Sequence, residues 1–250
     1  MPEFSLRLLA SAVPGEIDAL LTACATGEEA SGPVLAPVDD DTDIWASGVT
    51  YLRSREARMH ESDTADVYDK VYEAERPELF FKGTGWRVRG MHAGIRVRRD
   101  ATWNVPEPEL ALVANAAGQI IGYTAGNDVS SRDIEGANPL YLPQAKVYNG
   151  SCALGPGIVL GDAPAMASLP IRLTIKRQGA PVFDGDTGIH QMKRSLQELI
   201  DCLFFELDMP AGAVLLTGAG IVPGDDFTLA TGDVVEIRVG DLLLSNPVVE

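Results

Sequence analysis

The stretch TWNVPEPELALVANAAGQIIGYTAGNDVSSRD, residues 102–133, decides the fold. It contains two apolar runs, ELALVAN and QIIGYTAGN, and the Ala-Gly pair at 117–118 between them predicts a turn. The two runs are therefore predicted to be the strands of a β-hairpin. Pro106 and Pro108 suit the start or edge of the first strand, because a residue there need not donate a ladder hydrogen bond.

Three carboxylates in this stretch are predicted to converge. Glu107 and Glu109 are two residues apart, so in an extended strand both side chains project from the same face. The returning strand ends at Asp128, which comes back toward the start of the first strand. Carboxylates without histidine or cysteine form a site that suits Mg²⁺, Mn²⁺ or Ca²⁺. A solvated acidic strand with a turn aspartate is the alternative, but the adjoining run ELALV favours burial, and buried carboxylates require partners.

Two lysines are candidates to act beside such a site. Lys82 lies in LFFKGTG and Lys146 in LPQAKVYNG, both among apolar or turn residues. A lysine near a metal ion can pair with a substrate carboxylate, or lose a proton and act as a base. Taken alone, each lysine is more typical of an exposed position. The histidines His60, His92 and His190 lack metal-ligand spacing, and we predict that none of them is a ligand.

The composition bounds the possible functions. The chain has 250 residues and a net charge of −16, which suits one large domain or one domain with a small partner and disfavours nucleic acid and anionic membranes as partners. No apolar run approaches the roughly 18 residues of a membrane span. The N-terminus lacks a signal-peptide pattern, and no G-x-S-x-G motif supports a serine hydrolase. The cysteines Cys24, Cys152 and Cys202 do not predict a disulfide framework, so a cytoplasmic location is expected.

Outside the hairpin, short β-like runs dominate the chain: IRVR, IRLTIKR, AVLLTG and DVVEIRVGDLLL. Apolar residues at helical spacing predict helices for the stripe from Val13 to Cys24 and for 190–208. The polar, charge-rich stretch 49–75 suits an exposed helix, and FSLRLLA fits a strand. Strands outnumber helices and do not alternate with them. This pattern predicts an α+β, mainly β fold rather than a doubly wound sheet.

Three segments together resemble the fumarylacetoacetate hydrolase family: WNVPEPELALV, GYTAGNDVSSRDIEG and LPQAKVYNGSCALGPGIV. The resemblance covers roughly residues 45–250, and several motifs agree in order and spacing. It implies a rolled mixed β-sandwich, usually a homodimer. We therefore expect a catalytic domain over 46–250, preceded by a small N-terminal strand and helix segment over 1–45.

The resemblance also implies roles for the residues already singled out. The family's E-x-E pair and following aspartate bind a divalent metal ion and match Glu107, Glu109 and Asp128. The lysine after the S-x-R-D segment matches Lys146, and the earlier lysine of the F-x-K segment matches Lys82. The metal ion expected from this match is Mg²⁺, with Mn²⁺ or Ca²⁺ as alternatives.

Substrate-facing positions can be carried over in the same way, and two of them depart from the hydrolase pattern. Arg132 matches an arginine that faces the substrate, and Thr217 lies in a glycine-rich loop that borders the family's pocket. Ser54 stands where hydrolases commonly place a water-activating histidine, and Glu135 where they often have glutamine. The segments GVTYLRSREAR, RPELFFKGT and NPLYLPQAKVYNG resemble instead the sugar-acid branch, the 2-keto-3-deoxy-D-arabinonate dehydratases.

The function implied is a metal-dependent lyase of sugar-acid catabolism, which dehydrates a 2-keto-3-deoxypentonate to 2-oxoglutarate semialdehyde through a metal-bound enolate. Lys146 is the candidate enolate stabiliser or base, and Glu78 and Lys82 are candidates for proton transfer at the leaving hydroxyl. One alternative is hydrolysis or decarboxylation of an acylpyruvate-like keto acid, with Glu56 or Glu61 as the base. Another is a binding module that has lost its chemistry.

Overall fold

A computed structural model describes residues 5–25, 27, 31–61 and 65–250 of the chain, with the side chains of 58, 61, 65 and 66 left out. Within these ranges the helices are α1 Leu6–Ser11, α2 Ile17–Cys24, α3 Leu52–Glu61, α4 Ala65–Glu73, α5 Arg132–Ala137, α6 Leu142–Lys146, α7 Ala163–Met166 and α8 Leu196–Phe204. The strands are β1 Asp43–Gly48, β2 Glu78–Thr84, β3 Ile95–Arg96, β4 Asn104–Val105, β5 Pro108–Ala114, β6 Ile120–Asp128, β7 Ser130–Ser131, β8 Cys152–Leu160, β9 Pro170–Arg177, β10 Ala180–Gly188, β11 Ala213–Leu216, β12 Val234–Val239 and β13 Leu242–Val249.

The predicted hairpin is confirmed as the antiparallel pair β5 and β6, in which Glu109 lies opposite Gly126. Its turn is held by the side chain of Asn115, whose oxygen accepts hydrogen bonds from the N–H groups of Ala117 (3.1 Å) and Gln119 (2.9 Å). Every residue of both strands is buried. The hairpin therefore lies in the interior of the fold, and polar side chains on it need partners.

Two large sheets build the molecule. The first has six strands in the order β2-β1-β11-β5-β6-β8, and the second has five in the order β10-β9-β12-β13-β3. Leu110 and Leu112 of the first sheet share a hydrophobic core with Leu173 and Ile237 of the second. Helix α8 adds its buried face to the same core. The mainly β, α+β sandwich predicted from the sequence is thus confirmed.

The N-terminal segment covers the other face of the six-stranded sheet. Leu9 and Ile17 join a second apolar cluster with Val113, Leu154 and Val214 of that sheet. The predicted division at residues 45 and 46 falls within β1, which pairs with both β2 and β11. The division into an N-terminal segment and a catalytic domain stays a prediction.

The prediction of a strand at FSLRLLA is wrong, because residues Leu6–Ser11 form helix α1. Ser5 precedes this helix, and its hydroxyl oxygen accepts a hydrogen bond from the N–H of Leu8, which is a typical helix N-cap. An apolar run of this length is compatible with either structure, and packing of Leu9 against the sheet decides for the helix.

The other helical predictions hold with shorter bounds. The stripe from Val13 begins as a helix only at Ile17, since Pro14 starts a 3₁₀ turn. The stretch 49–75 contains α3 and α4, with residues 62–64 outside the described ranges. The late helix spans Leu196–Phe204 and is capped by Ser195. In the part of the chain that the structure describes, no helix has the length and apolarity needed to cross a bilayer.

Candidate active site

The three predicted carboxylates meet at one end of the central hairpin. Glu107 directly precedes β5, Glu109 is its second residue and Asp128 ends β6. One carboxylate oxygen from each lies within 4.8 Å of the other two. Their exposed fractions are only 5%, 1% and 1%, so the three acids are held together away from bulk water. Among the described residues, this is the only such group of potential metal ligands.

Buried cations compensate the charge of this cluster. The ammonium of Lys146 contacts the carboxylate of Glu107 and lies 3.2 Å from Asp128 Oδ2. The guanidinium of Arg132 lies 3.0 Å from the second oxygen of Glu107. Lys82 contacts Asp128 from the other side. Neighbouring acids repel one another in a medium of low polarity, and these cations are the groups that allow them to stay together.

Glu109 has the least compensation of the three. Burial raises the pKa of Glu109 well above its ordinary value, and the charges of Asp128 and Glu107 add to this effect. The N–H of Gly218, which donates to Glu109 Oε2 over 2.6 Å, and the ammonium of Lys146 act in the opposite direction. A further positive charge at this point would therefore favour the ionised form of Glu109.

The donor set fits a hard divalent cation. The three acids supply oxygen ligands only, which Mg²⁺, Mn²⁺ and Ca²⁺ prefer. The ammonium of Lys146 already bridges Glu107 and Asp128, so the space between these carboxylates attracts positive charge. Glu107, Glu109 and Asp128 are thus the residues that could hold the metal ion.

The acids open onto a cavity whose empty volume, including the part open to solvent, is about 430 Å³. Arg132 and Glu135 of α5 and Lys146 of α6 line it, and Glu78 and Phe80 of β2 line it as well. The ring of Phe80 lies 5.7 Å from the Lys146 ammonium. Charged walls of this kind suit a small polar anion.

Glu78 and Glu135 are held in the cavity wall by identifiable contacts. The Glu78 carboxylate lies directly over Gly48, where any Cβ would overlap it. The hydroxyl of Ser47 donates to the backbone carbonyl of Glu78 over 3.0 Å. Glu135 accepts a hydrogen bond from Ser130 (2.9 Å). Both acids thus line the cavity, and the catalytic role of Glu78 and the substrate-binding role of Glu135 stay predictions.

Lys82 and Thr217 lie behind the site, not in the cavity wall. The Lys82 ammonium contacts Asp128 and donates to the carbonyls of Val129 (3.1 Å) and Lys146 (2.6 Å). The Thr217 hydroxyl donates to the carbonyl of Leu110 over 2.9 Å. Proton transfer by Lys82 and substrate binding by Thr217 stay predictions, and neither residue has its polar end turned to the cavity.

A β-bulge explains how Lys82 reaches Asp128. In the pairing of β1 with β2, Ile44 lies opposite Gly83 and Trp45 opposite Phe81, so Lys82 is the extra residue. Bulges commonly re-aim a side chain next to an active site. The side chain of Lys82 is completely buried as a result.

Tyr51 is a buried residue close enough to Glu109 to be affected by its charge, and the sequence did not predict this. Burial and the charge of Glu109 raise the pKa of the Tyr51 phenol, and its hydroxyl has no hydrogen-bond partner in the described part of the chain. Tyr51 lies in the quoted segment GVTYLRSREAR, but no spacing pattern distinguished it. Ser54 lines the cavity, and its hydroxyl donates to the carbonyl of Tyr51 (2.8 Å) while accepting from the Tyr51 N–H (3.2 Å).

Comparison with known proteins agrees with this architecture. The profile of the fumarylacetoacetate (FAA) hydrolase C-terminal family matches residues 43–249. A probable 2-keto-3-deoxyxylonate dehydratase of Haloferax volcanii is 47% identical over 214 residues, which is 85% of this chain and 73% of the relative. A 2-dehydro-3-deoxy-D-arabinonate dehydratase of Saccharolobus solfataricus is 44% identical over 81% of this chain and 70% of its own. The structure of a 2-keto-3-deoxy-D-arabinonate dehydratase with magnesium and 2,5-dioxopentanoate superposes with a TM-score of 0.77 at 42% identity, covering 84% of this chain and 73% of that one.

Proposed function

This chain belongs to the fumarylacetoacetate hydrolase family, and we propose that it is a divalent-metal-dependent dehydratase of a 2-keto-3-deoxypentonate. The observation that carries the proposal is the buried cluster of Glu107, Glu109 and Asp128, which faces a cavity with Lys146 and Glu78 in its walls. Relatives of 47% and 44% identity are named as dehydratases of such sugar acids. The product would be 2,5-dioxopentanoate, which is 2-oxoglutarate semialdehyde.

The cluster and its neighbours suit a 2-keto acid. A divalent cation held by the three carboxylates, with Mg²⁺ as the expected ion, would act as a Lewis acid on the ketone. Arg132 supplies a guanidinium in the cavity wall, which pairs with Glu107 and Glu135 and could direct another N–H to the substrate carboxylate. These residues would orient the substrate with its C3 hydrogens toward Lys146.

Lys146 and Glu78 are the proposed groups that move protons. Lys146, as the neutral amine, would take a proton from C3, and Glu78, as the protonated acid, would give a proton to the C4 hydroxyl, which leaves as water. The remaining unsaturated keto acid then tautomerises, so that its terminal CH₂OH carbon becomes the aldehyde. Glu78 and Phe80 are two residues apart on β2, so their side chains share a face of the strand, and both line the cavity. Because the ring of Phe80 contacts the Lys146 ammonium, Glu78 lies on the same side of the strand as Lys146.

Dehydration is favoured over hydrolysis by the surroundings of Ser54. Its hydroxyl is committed to the backbone of Tyr51 in the first turn of α3, so it does not replace the water-activating histidine of the hydrolases. Glu56, the first alternative base, is exposed and does not line the cavity, and the side chain of residue 61 lies outside the described atoms. A module without chemistry is disfavoured by the complete set of charged residues.

Turnover of a 2-keto-3-deoxypentonate by Mg²⁺-loaded protein tests the proposal, with the semialdehyde as the measured product and an acylpyruvate as the competing substrate. Semialdehyde formation that stops on chelation is expected. Glu107→Gln should abolish metal binding and turnover together, whereas the same exchange at the exposed Glu16 should change neither. Cleavage of the acylpyruvate without semialdehyde would establish the hydrolase instead.

We also propose that two copies form a homodimer and that the protein works in the cytoplasm. The dimer follows from the usual assembly that the family resemblance implies. The three cysteines are free in the structure, which is compatible with a reducing compartment. Light scattering at several concentrations would give twice the mass of one chain, and a mass of one chain throughout would remove the dimer.

A further inference from the structure

We propose that Thr50 is a positioning residue for the metal ligand Glu109, acting through the peptide unit that joins Thr217 and Gly218. The inference rests on the proposed function, in which Glu109 holds a divalent cation. Thr50 lies between β1 and α3, outside the cluster of acids, and its side chain belongs to neither the cavity wall nor the ligand set.

One planar peptide unit makes both of the relevant hydrogen bonds. The Thr50 hydroxyl donates to the carbonyl of Thr217 over 2.7 Å, and the N–H of Gly218 donates to Glu109 Oε2 over 2.6 Å. In a trans peptide the carbonyl and the N–H lie in one plane and point in opposite directions. A donor that fixes the carbonyl therefore fixes the direction of the N–H toward the carboxylate.

The two residues of this peptide unit are constrained differently. Thr217, on its N-terminal side, is anchored, because the N–H and the hydroxyl of Thr217 both donate to the carbonyl of Leu110 (3.1 and 2.9 Å). Gly218 follows with a φ of +97°, a conformation that glycine adopts without strain. A Cβ at 218 would overlap the Thr50 hydroxyl, so the two groups are in close contact. The Thr50 hydrogen bond thus supplies the stiffness that a glycine cannot.

The backbone around Thr50 is itself held in an unusual conformation. Val49 has a φ of +52°, which is rare for a β-branched residue and persists only where the surroundings enforce it. The carbonyl of Thr50 accepts a hydrogen bond from the N–H of Lys193 over 2.9 Å. Thr50 is 1% exposed. Its hydroxyl is therefore delivered to Thr217 from a fixed and buried point.

Metal affinity of three variants tests the inference. Chelator-stripped protein would be titrated with Mn²⁺, and the free ion followed by electron paramagnetic resonance. Thr50→Val keeps the shape of the side chain but removes the hydrogen-bond donor. We expect its affinity for Mn²⁺ to fall by about tenfold or more, since partners that orient metal ligands commonly contribute 10- to 100-fold. Thr50→Ser keeps the donor and should stay within about threefold of wild type. Thr124→Val is the matched control, because that hydroxyl is buried and has no hydrogen-bond partner in the described residues.

The turnover of the same variants separates positioning from damage. Thr50→Val should regain most of its kcat at saturating Mg²⁺, which a distorted fold would not. If valine does not fit the site, Thr50→Ala gives the same comparison. Wild-type Mn²⁺ affinity in a folded Thr50→Val, or equal weakening in Thr50→Ser, would overturn the inference while leaving the metal site intact. A wild-type chain that binds no Mn²⁺ would overturn the metal site, and the inference with it.

Discussion

Replacing Lys82 with methionine removes the ammonium that compensates Asp128 from behind. The side chain is completely buried, and it makes one ion pair and two hydrogen bonds to carbonyls. Methionine fills a similar volume with an uncharged chain. The substitution therefore leaves Asp128 in a cluster of three acids with two compensating cations, Lys146 and Arg132.

The loss of stability can be worked from these contacts. Breaking a buried ion pair by removing one partner costs about 3–5 kcal/mol, because the other charge stays buried. The carbonyl of Val129 loses the donor described for it, which adds about 1–3 kcal/mol. The carbonyl of Lys146 keeps a second donor, the hydroxyl of Ser151 at 2.8 Å, so the loss of its bond to Lys82 adds little to the loss of stability. The sum is about 4–8 kcal/mol, a large part of the roughly 5–15 kcal/mol that stabilises a typical domain.

Urea unfolding without metal ions measures this loss. Mg²⁺ should recover part of it, since a cation among the acids replaces some of the missing charge. Lys176→Met is the control, because that lysine pairs with Glu236 at the surface and should change stability by less than about 1 kcal/mol. A metal-free Lys82→Met protein within about 1 kcal/mol of wild type would refute the reasoning that buried positive charge holds the acids together.

Three further predictions follow from single contacts. Glu78→Gln should lower kcat by about 10²–10⁴ and leave Mn²⁺ affinity unchanged, because it removes a proton donor but no ligand; a metal titration beside the rate measurement checks this. Gly48→Ala should lower activity through KM and kcat together, since its Cβ overlaps the Glu78 carboxylate, and unchanged kinetics would contradict that packing. Although burial acts to raise the pKa of Asp233, the hydrogen bonds from Arg177 hold it below its ordinary value. Its folded pKa is lower than its unfolded one, so the pair contributes stability above the ordinary carboxyl range and loses it as pH falls through the folded pKa. Below about pH 5, the free energy of unfolding should depend less steeply on pH for Asp233→Asn than for wild type. Equal pH dependence of the two proteins would count against the pair.

Local sequence patterns were enough to predict the hairpin and the three clustered acids. The hairpin follows from two apolar runs and a turn, and the positions of Glu107, Glu109 and Asp128 follow from strand alternation and the return of the chain. The α+β, mainly β class follows from the excess of strand-like runs. These features depend on residues within about thirty positions of one another, where the periodicity of side chains determines which of them share a face.

Only the tertiary structure decided which other groups reach the acids. FSLRLLA was compatible with a strand until packing on the sheet made it a helix. Lys82 lies behind Asp128 because of a bulge in the pairing of β1 and β2. Thr50 meets Thr217 across 167 residues of chain. Such contacts arise where β1 lies between β2 and β11, and the order of strands in a sheet is set by the burial of whole faces, which no local run of residues encodes.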